Sequence, residues 1–261
     1  MPGKRNIFNK RFLKEELEEL YLKYNNKEYI KYDPIKFVYR FKNQKEREVI
    51  ALISASLSFG RVTQIFKAIE FFLTICNNEP LKFITTLSDE PDTRIKQFKY
   101  RFVDGNDLFY YLKSIQKILK DYGSLGAFAE ANYKGDIYGF LQNFTQAFNC
   151  SGYLMPMGIE SSPCKRLFMF LRWMVRKDHI DLGYWRFIDP SDLIIPLDTH
   201  IFQVSLARGL TSKKRASQGA AFEITQNLKK YSKEDPVKYD WALSHMGIIK
   251  NNFLSISKLS E

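Results

Sequence analysis

The chain has 261 residues, 45% of them hydrophobic, and sets 40 Lys and Arg against 29 Asp and Glu, a formal charge of +11 at pH 7 with a pI near 9.4 and a mean hydropathy of −0.32. That length supports a substantial core in one large or two small domains. No apolar run reaches the roughly 18 residues of a membrane span and MPGKRNIFNKRF has no apolar signal core, so a cytoplasmic protein without a membrane partner is expected. Cys76, Cys150 and Cys164 share no CxxC spacing, which argues against a disulfide framework and a zinc ribbon. The positive excess fits a polyanionic partner. Lys, Asn, Ile, Phe and Tyr are all plentiful, however, as A+T-rich coding would make them, so charge alone moves the reading only slightly toward nucleic acid.

In chain order, residues 1–9 read as a loose basic arm and 10–24 as an amphipathic helix, with Phe12, Leu13, Leu17, Leu20 and Tyr21 at helical spacing. Pro34 breaks the pattern. Residues 44–76 hold one or two helices around the apolar centre VIALISASLSF, whose small residues suit close helix packing. Short helices are expected over 81–87 and 93–102, either side of the breaker Ser-Asp-Glu-Pro-Asp. Residues 106–122 make an amphipathic helix with Leu108, Tyr111, Leu112, Ile115, Ile118 and Leu119 on one stripe, and Gly123 caps it. Helices over 125–132 and 137–148 precede the turn-rich CSGYLMPMG. A helix over 164–176, a polar break at KDHIDLG, a helical turn at YWRF and a loop at DPSD come next. Asp198 then opens a helix ending at Gly209, Ser212 caps one that starts with Lys213, Lys214 and Arg215 and runs to about residue 231, and Asp235-Pro236 caps a last one through WALSHMG. Almost no segment alternates with a two-residue period, so the fold is expected to be all-α.

Residues 161–210 carry the candidate chemistry. Ser162 suits an N-cap and Pro163 the first helical position, which places Cys164 and Lys165 in the first turn. A cation there faces the partial positive charge of the free N–H groups, and losing its proton is the cheapest relief. A neutral amine is a nucleophile. Downstream, Pro196-Leu197-Asp198 leads into an apolar helix, so Asp198 has the position of an N-cap carboxylate, kept ionised by the helix terminus and a nearby ammonium. Each residue alone has a plainer reading: first-turn lysines are usually solvated, and caps are usually only caps. His179, His200 and His245 have no metal-ligand spacing, so no metal is expected.

Taken together, the lysine and the stretch PLDTHIFQVSLARGL resemble the helix-hairpin-helix DNA glycosylase superfamily, whose catalytic lysine follows the hairpin and whose catalytic aspartate opens a later helix. Where that superfamily has a Leu-Pro-Gly-Val-Gly hairpin, this chain spreads Leu154, Pro156 and Gly158 through LMPMGIESSPCK, a degenerate hairpin. Lys165 and Asp198 stand 33 residues apart. That long connection is similar to the archaeal 8-oxoguanine DNA glycosylases and to related bacterial proteins of unassigned function.

The resemblance spans about 49–247. It implies one glycosylase-like unit, 1–261, of two helical subdomains with a central cleft: one about 44–148, the other 1–43 plus 149–261. Lys165 and Asp198 become the catalytic residues. Asp240, Trp241, Phe59 and Gln64 become base-pocket candidates, Trp241 and Phe59 because an extruded base needs a flat apolar partner. Arg61, Lys213, Lys214 and Arg215 become DNA-backbone candidates. Lacking four cysteines, the chain lacks the ligands for the iron–sulfur cluster of some relatives. The implied function is removal of 8-oxoguanine from double-stranded DNA with lysine Schiff-base lyase activity, by a monomer needing no metal or organic cofactor. Two alternatives stay open: a glycosylase for another damaged base, and a non-catalytic nucleic-acid-binding protein on the same scaffold. The catalytic reading requires the 33-residue connection to fold back.

Overall fold

The computed structural model describes residues 12–150, 152–156, 159 and 162–246. The basic arm 1–9, Gly158 of the degenerate hairpin, Ser161 and Gly247 lie outside them. About 60% of the described residues are helical, and they form a single sheet of two short antiparallel strands. The fold is all-α.

Internal packing divides the chain into two units, residues 27–159 with 169–188, and residues 1–26, 160–168 and 189–261. This differs from the expected division at 44 and 148. Residues 27–43 and 169–188 both pack into the larger unit, where Tyr39 Oη donates to the Ile180 carbonyl at 2.6 Å and Arg47 Nη1 to Tyr184 Oη at 2.7 Å.

In the larger unit, a 3₁₀ turn (Lys27–Tyr32) leads to α2 (Ile35–Val38), α3 (Gln44–Ser56), α4 (Val62–Ile75), α5 (Pro80–Thr85) and α6 (Thr93–Lys96). Strands β1 (Lys99–Tyr100) and β2 (Val103–Asp104) follow, then α7 (Gly105–Tyr122), α8 (Leu125–Asn132) and α9 (Ile137–Gln146). Helix α3 starts under Asn43, whose Oδ1 accepts from the Lys45 and Glu46 N–H groups, and every residue from Glu48 to Ser56 is buried. A helix apolar all round belongs in the interior, and its small Ala51, Ser54 and Ala55 let α2, α5 and α8 close on it. The one charge on that stretch, Glu48, is satisfied: it accepts from the Gly126 N–H of α8's first turn at 2.9 Å, from Trp185 Nε1 at 3.3 Å and from Gln44 Nε2 at 3.0 Å.

Two local expectations are corrected here. Pro34 opens a helix instead of ending one, because Asp33 Oδ1 accepts the Ile35 N–H at 2.9 Å and Pro34 supplies a helical φ of −55°. The helix expected over 93–102 stops at Lys96, and residues 99–104 turn back as a hairpin that buries Phe98, Tyr100 and Val103. Gly105 closes that hairpin against α6, since a Cβ there would meet the Ile95 carbonyl at 2.3 Å.

Helix α10 (Lys165–Val175) ends in a buried ion network. Arg172 Nη2 and Arg176 Nη1 both pair with Asp181, and Arg176 Nη2 reaches Asp178 Oδ2 at 3.0 Å. Asp178 Oδ1 also accepts the Ile180 and Asp181 N–H groups at 2.8 Å each. Burial alone would raise the Asp178 pKa, but the Arg176 charge and these two N–H groups outweigh it and hold the carboxyl below its ordinary range. The C-terminal carbonyls of α10 are taken by the Leu182 and Trp185 N–H groups, so the helical turn expected at 184–187 gives way to a plain turn.

The smaller unit holds α1 (Lys14–Tyr24), a 3₁₀ turn (Pro190–Asp192), α11 (Thr199–Ala207), α12 (Gln218–Leu228) and a 3₁₀ turn (Pro236–Tyr239) running into α13 (240–246). The helix expected from Lys213 begins only at Gln218. Ser217 Oγ caps it, and the Glu223 carboxylate accepts from Thr211 and Ser212, holding 211–217 as a loop. Among the described residues no helix is long and apolar enough to cross a membrane.

Replacing Arg176 by Met leaves buried Asp178 without the Arg176 cation and Asp181 with that of Arg172, and urea unfolding at neutral pH should show about 3–5 kcal/mol lost. The Asp178 contribution is present above the unfolded carboxylate pKa, about 4, and is lost as pH falls through the lower folded value. Stability measured against pH should therefore have a shallower acid limb, from about pH 4 downward, in Asp178→Asn than in the native chain.

Candidate active site

Asp198 is fixed by the chain on both sides of it. Leu193, Ile194, Ile195 and Leu197 are all buried, and the Ile195 N–H donates at 3.0 Å to Thr225 Oγ1 of α12. The extended segment delivers Asp198 to the start of α11 with φ −113° and ψ −178°, where Oδ1 accepts the Ile201 N–H at 2.9 Å. The helix ends as the sequence indicates: Gly209 has φ +69°, the Leu210 N–H returns to the Ser205 carbonyl and the Gly209 N–H to that of Leu206, a Schellman closure.

Lys165 is the first residue of α10. The expected helix start two residues earlier is corrected, because Cys164 stands at the cap position in the left-handed region, with φ +48°. Its N–H donates to Ser162 Oγ at 3.2 Å, and its carbonyl accepts the Phe168 N–H at 3.1 Å. A left-handed non-glycine residue costs about 1–2 kcal/mol, the kind of strain that collects at functional positions. The Cys164 thiol is buried, and desolvation pushes its pKa up to about 11, so at neutral pH it is a thiol and a poor nucleophile.

The 33-residue connection does fold back. Lys165 Nζ lies 3.1 Å from Asp198 Oδ2, with 37% of the lysine side chain and 20% of the aspartate side chain exposed. A partly exposed pair of this kind stabilises a fold by less than about 1 kcal/mol, and a cation at a helix N-terminus costs a similar amount. The two terms offset each other, so stability does not account for placing a lysine there. Chemically, the pair offers an amine that solvent can reach and a carboxylate held beside it.

The other expected residues fall in several places. Asp240 and Trp241 share the smaller unit with the pair. Asp240 is buried, and Trp241 is stacked on His245 with centroids 5.3 Å apart, His245 in turn on Tyr24 at 4.5 Å. Trp241 is thus built into a stack within its own unit. Lys213, Lys214 and Arg215 are exposed on the 211–217 loop, with the Lys213 N–H held by Thr211 Oγ1 at 3.1 Å. Phe59, Arg61 and Gln64 belong to the larger unit, Arg61 and Gln64 exposed at the start of α4 and Phe59 half-buried just before it. Arg101 stands over the Phe59 ring, and the next residue, Phe102, stacks on Tyr153; Arg101 and Phe102 are functional candidates absent from the sequence reading. Their signal was the alternation of buried Phe98 and Tyr100 with exposed Lys99 and Arg101, hidden inside a helix assignment. A groove of about 900 Å³ on the larger unit, lined in part by Tyr110, Lys113, Lys117 and Asn149, contains none of the expected residues.

All three cysteines are free, and among the described residues no group of three or more His, Cys, Asp or Glu side chains is arranged to hold a metal ion. The chain is thus an all-α protein in which one helix-capping aspartate holds a lysine at the start of another helix. It belongs to a family described as "protein of unknown function (DUF2400)", whose model matches residues 33–249, a span that includes Lys165, Asp198 and Asp240. No curated protein and no solved structure matches the chain.

The two jobs of Asp198 separate by substitution. Asparagine caps a helix as well as aspartate does, so Asp198→Asn should lose only the ion pair, less than about 1 kcal/mol, whereas Asp198→Ala, which also loses the cap, should cost about 1 kcal/mol more and lower Tm by about 2–4 °C further. Equal losses in both variants, read by thermal denaturation, would mean that the charge and not the cap holds the helix.

Proposed function

We propose that this protein is a DNA base-excision glycosylase with lysine-based lyase activity, acting on 8-oxoguanine in double-stranded DNA. The observation that supports the reading is the Lys165–Asp198 contact at 3.1 Å, an amine nucleophile and a carboxylate brought together from two helix starts, as in the superfamily this chain resembles. The two functions ask for different atoms of one aspartate: Oδ1 caps α11, and Oδ2 faces the lysine.

In the proposed reaction the damaged nucleotide leaves the stack, and Lys165 Nζ, having given up a proton, attacks the sugar C1′. The bond from C1′ to the base breaks, its electron pair leaves with the base, and the base takes up a proton. Cationic character develops on the sugar as that bond lengthens, and the Asp198 carboxylate stabilises it from beside the nucleophile. Loss of the second amine proton and opening of the sugar ring give an imine linking Lys165 to C1′. Removal of a C2′ proton then expels the 3′ phosphate and nicks the strand. Cys164, protonated and buried, does not compete for C1′.

Borohydride reduces such an imine to a stable amine, so incubating the protein with a duplex containing 8-oxoguanine should yield a covalent protein–DNA adduct. Lys165→Gln should give none. Asp198→Asn, which keeps the helix cap, should slow base release on the order of a hundredfold or more. If the native chain yields no adduct on 8-oxoguanine yet forms one on another lesion in a panel of duplexes, the substrate is different and the lysine assignment holds. Base release that persists in Lys165→Gln removes the lysine from the chemistry.

A further inference from the structure

The larger unit carries a second feature that the catalytic reading leaves unused. The β1–β2 hairpin pairs Tyr100 with Val103, which leaves Arg101 and Phe102 as its two-residue turn. Arg101 has φ +54°, the first turn position of a type II′ hairpin, where glycine is the ordinary occupant. The fold therefore tolerates strain to present an arginine there. Phe102 is 61% exposed, and its ring stacks on Tyr153, itself 50% exposed, with centroids 5.0 Å apart and planes 26° apart. Large aromatics are the residues a fold gains most by burying, and here two lie against each other in water.

The surroundings are built to hold this tip. Tyr100 Oη donates to the Phe59 carbonyl, and the Tyr100 and Phe59 rings meet at 4.9 Å, tying the hairpin to the loop between α3 and α4. Gly60 in that loop has φ +103°, and a Cβ on it would fall 2.5 Å from Arg101 Nη1, so the arginine lies over bare backbone. The guanidinium sits 5.6 Å from the Phe102 centroid and 5.9 Å from that of Phe59, within cation–π range of both. Lys99 and Arg61 are exposed on the same two segments. The nearest acids along the chain are turned to helix work: Asp104 accepts the Asn106 and Asp107 N–H groups, and Asp107 accepts that of Asp104.

Exposed ring faces beside cations, on a chain of net charge +11, match one partner chemistry: flat, apolar bases strung on a phosphate backbone. We propose that the hairpin tip, Arg101 and Phe102 with Tyr153, is a stacking platform for unpaired bases of a nucleic-acid strand, with Arg101 contacting phosphate. This goes beyond the excision reading and requires no chemistry at Lys165. A base sandwiched in a duplex offers no free face, so the platform selects strands with unpaired bases.

The test is fluorescence anisotropy of the full chain with a labelled oligothymidine of about 20 nucleotides and with a fully paired duplex of the same length. Phe102→Ala, a change at an exposed site, should weaken single-strand binding about tenfold and duplex binding less than about twofold. Phe102→Leu, apolar without a π face, should bind as weakly as Phe102→Ala, while Phe102→Trp should bind as well as the native chain. Arg101→Ala should lower the slope of log affinity against log salt by about one. Unchanged single-strand affinity in both Phe102→Ala and Tyr153→Ala would overturn the proposal, as would native affinity in Phe102→Leu. So would a Phe102→Ala variant that changes only self-association in sedimentation, because the tip would then be a protein contact. Borohydride adducts with native-like oligothymidine binding in both Phe102→Ala and Tyr153→Ala would keep the excision reading and end this one. Phe102-dependent binding without adducts would do the reverse.

Discussion

Asp198 divides its carboxylate between two tasks, and the geometry of the candidate site follows from that division. Oδ1 must accept from Ile201 for α11 to start where it does, and this contact fixes the rotamer of the side chain. Oδ2 then points in one direction only, and Lys165 Nζ is what it meets. The cap is in turn held by the buried run from Leu193 to Leu197 and by its bond to Thr225. A lysine has four rotatable bonds and would otherwise wander. Here the rigidity comes from the aspartate, whose position rests on backbone hydrogen bonds and core packing.

What the sequence made legible was whatever is decided locally. The all-α fold follows from periodicity, and α7, with its apolar stripe and Gly123 stop, is read almost to the residue. Asp198 as an N-cap and Gly209 as a stop are likewise local. Some errors trace to a partner distant along the chain, Glu223 for Ser212 and Phe59 for Tyr100, and others, at Pro34 and Cys164, to a side-chain hydrogen bond spanning two residues. Ser212 caps nothing because Glu223, a full turn inside α12, takes its N–H and hydroxyl. Residues 99–104 leave the helix expected there because two buried aromatics two positions apart, Phe98 and Tyr100, outweigh a four-residue run of helical propensity. Lys165 lies in the first turn, as the spacing indicates, yet the helix begins on it, since Cys164 turns left-handed. The contact between Lys165 and Asp198, across 33 residues, was beyond composition and spacing; only the resemblance of both flanking motifs to one superfamily pointed to it.

Strain and exposure follow a similar pattern at two separate places. Cys164 and Arg101 are both non-glycine residues at positive φ, at +48° and +54°. The first immediately precedes the lysine of the proposed catalytic pair, and the second immediately precedes Phe102. At these two of the four such positions among the described residues, the next residue carries a side chain that packing does not explain: a cation at a helix N-terminus, and a phenylalanine in water. Left-handed backbone is costly enough that packing must over-determine it. At Arg101 the over-determination is visible as Gly60 and the Tyr100–Phe59 bond, and at Cys164 as the Ser162 hydroxyl and the buried Leu167 and Phe168 that follow.

The ion pairs of this chain sort by exposure, and the sorting separates structural charge from charge that is free to react. The Arg176–Asp181 pair is 2% and 0% exposed, each charge is bonded more than once, and the network shapes the turn after α10. A group sealed in that way cannot exchange its partner for a substrate, because breaking the pair would leave an uncompensated charge in the interior at a cost of several kcal/mol. Lys165 and Asp198, 37% and 20% exposed, lie part-way toward open surface pairs such as Lys117–Asp121. Their contact is worth so little in water-exposed surroundings that an incoming ligand can displace the ammonium from the carboxylate at almost no energetic penalty, while the cap keeps the carboxylate where it was. A nucleophile needs both properties at once, a weak ground-state attachment and a fixed neighbour, and in the proposed reaction Lys165 has them through a single aspartate.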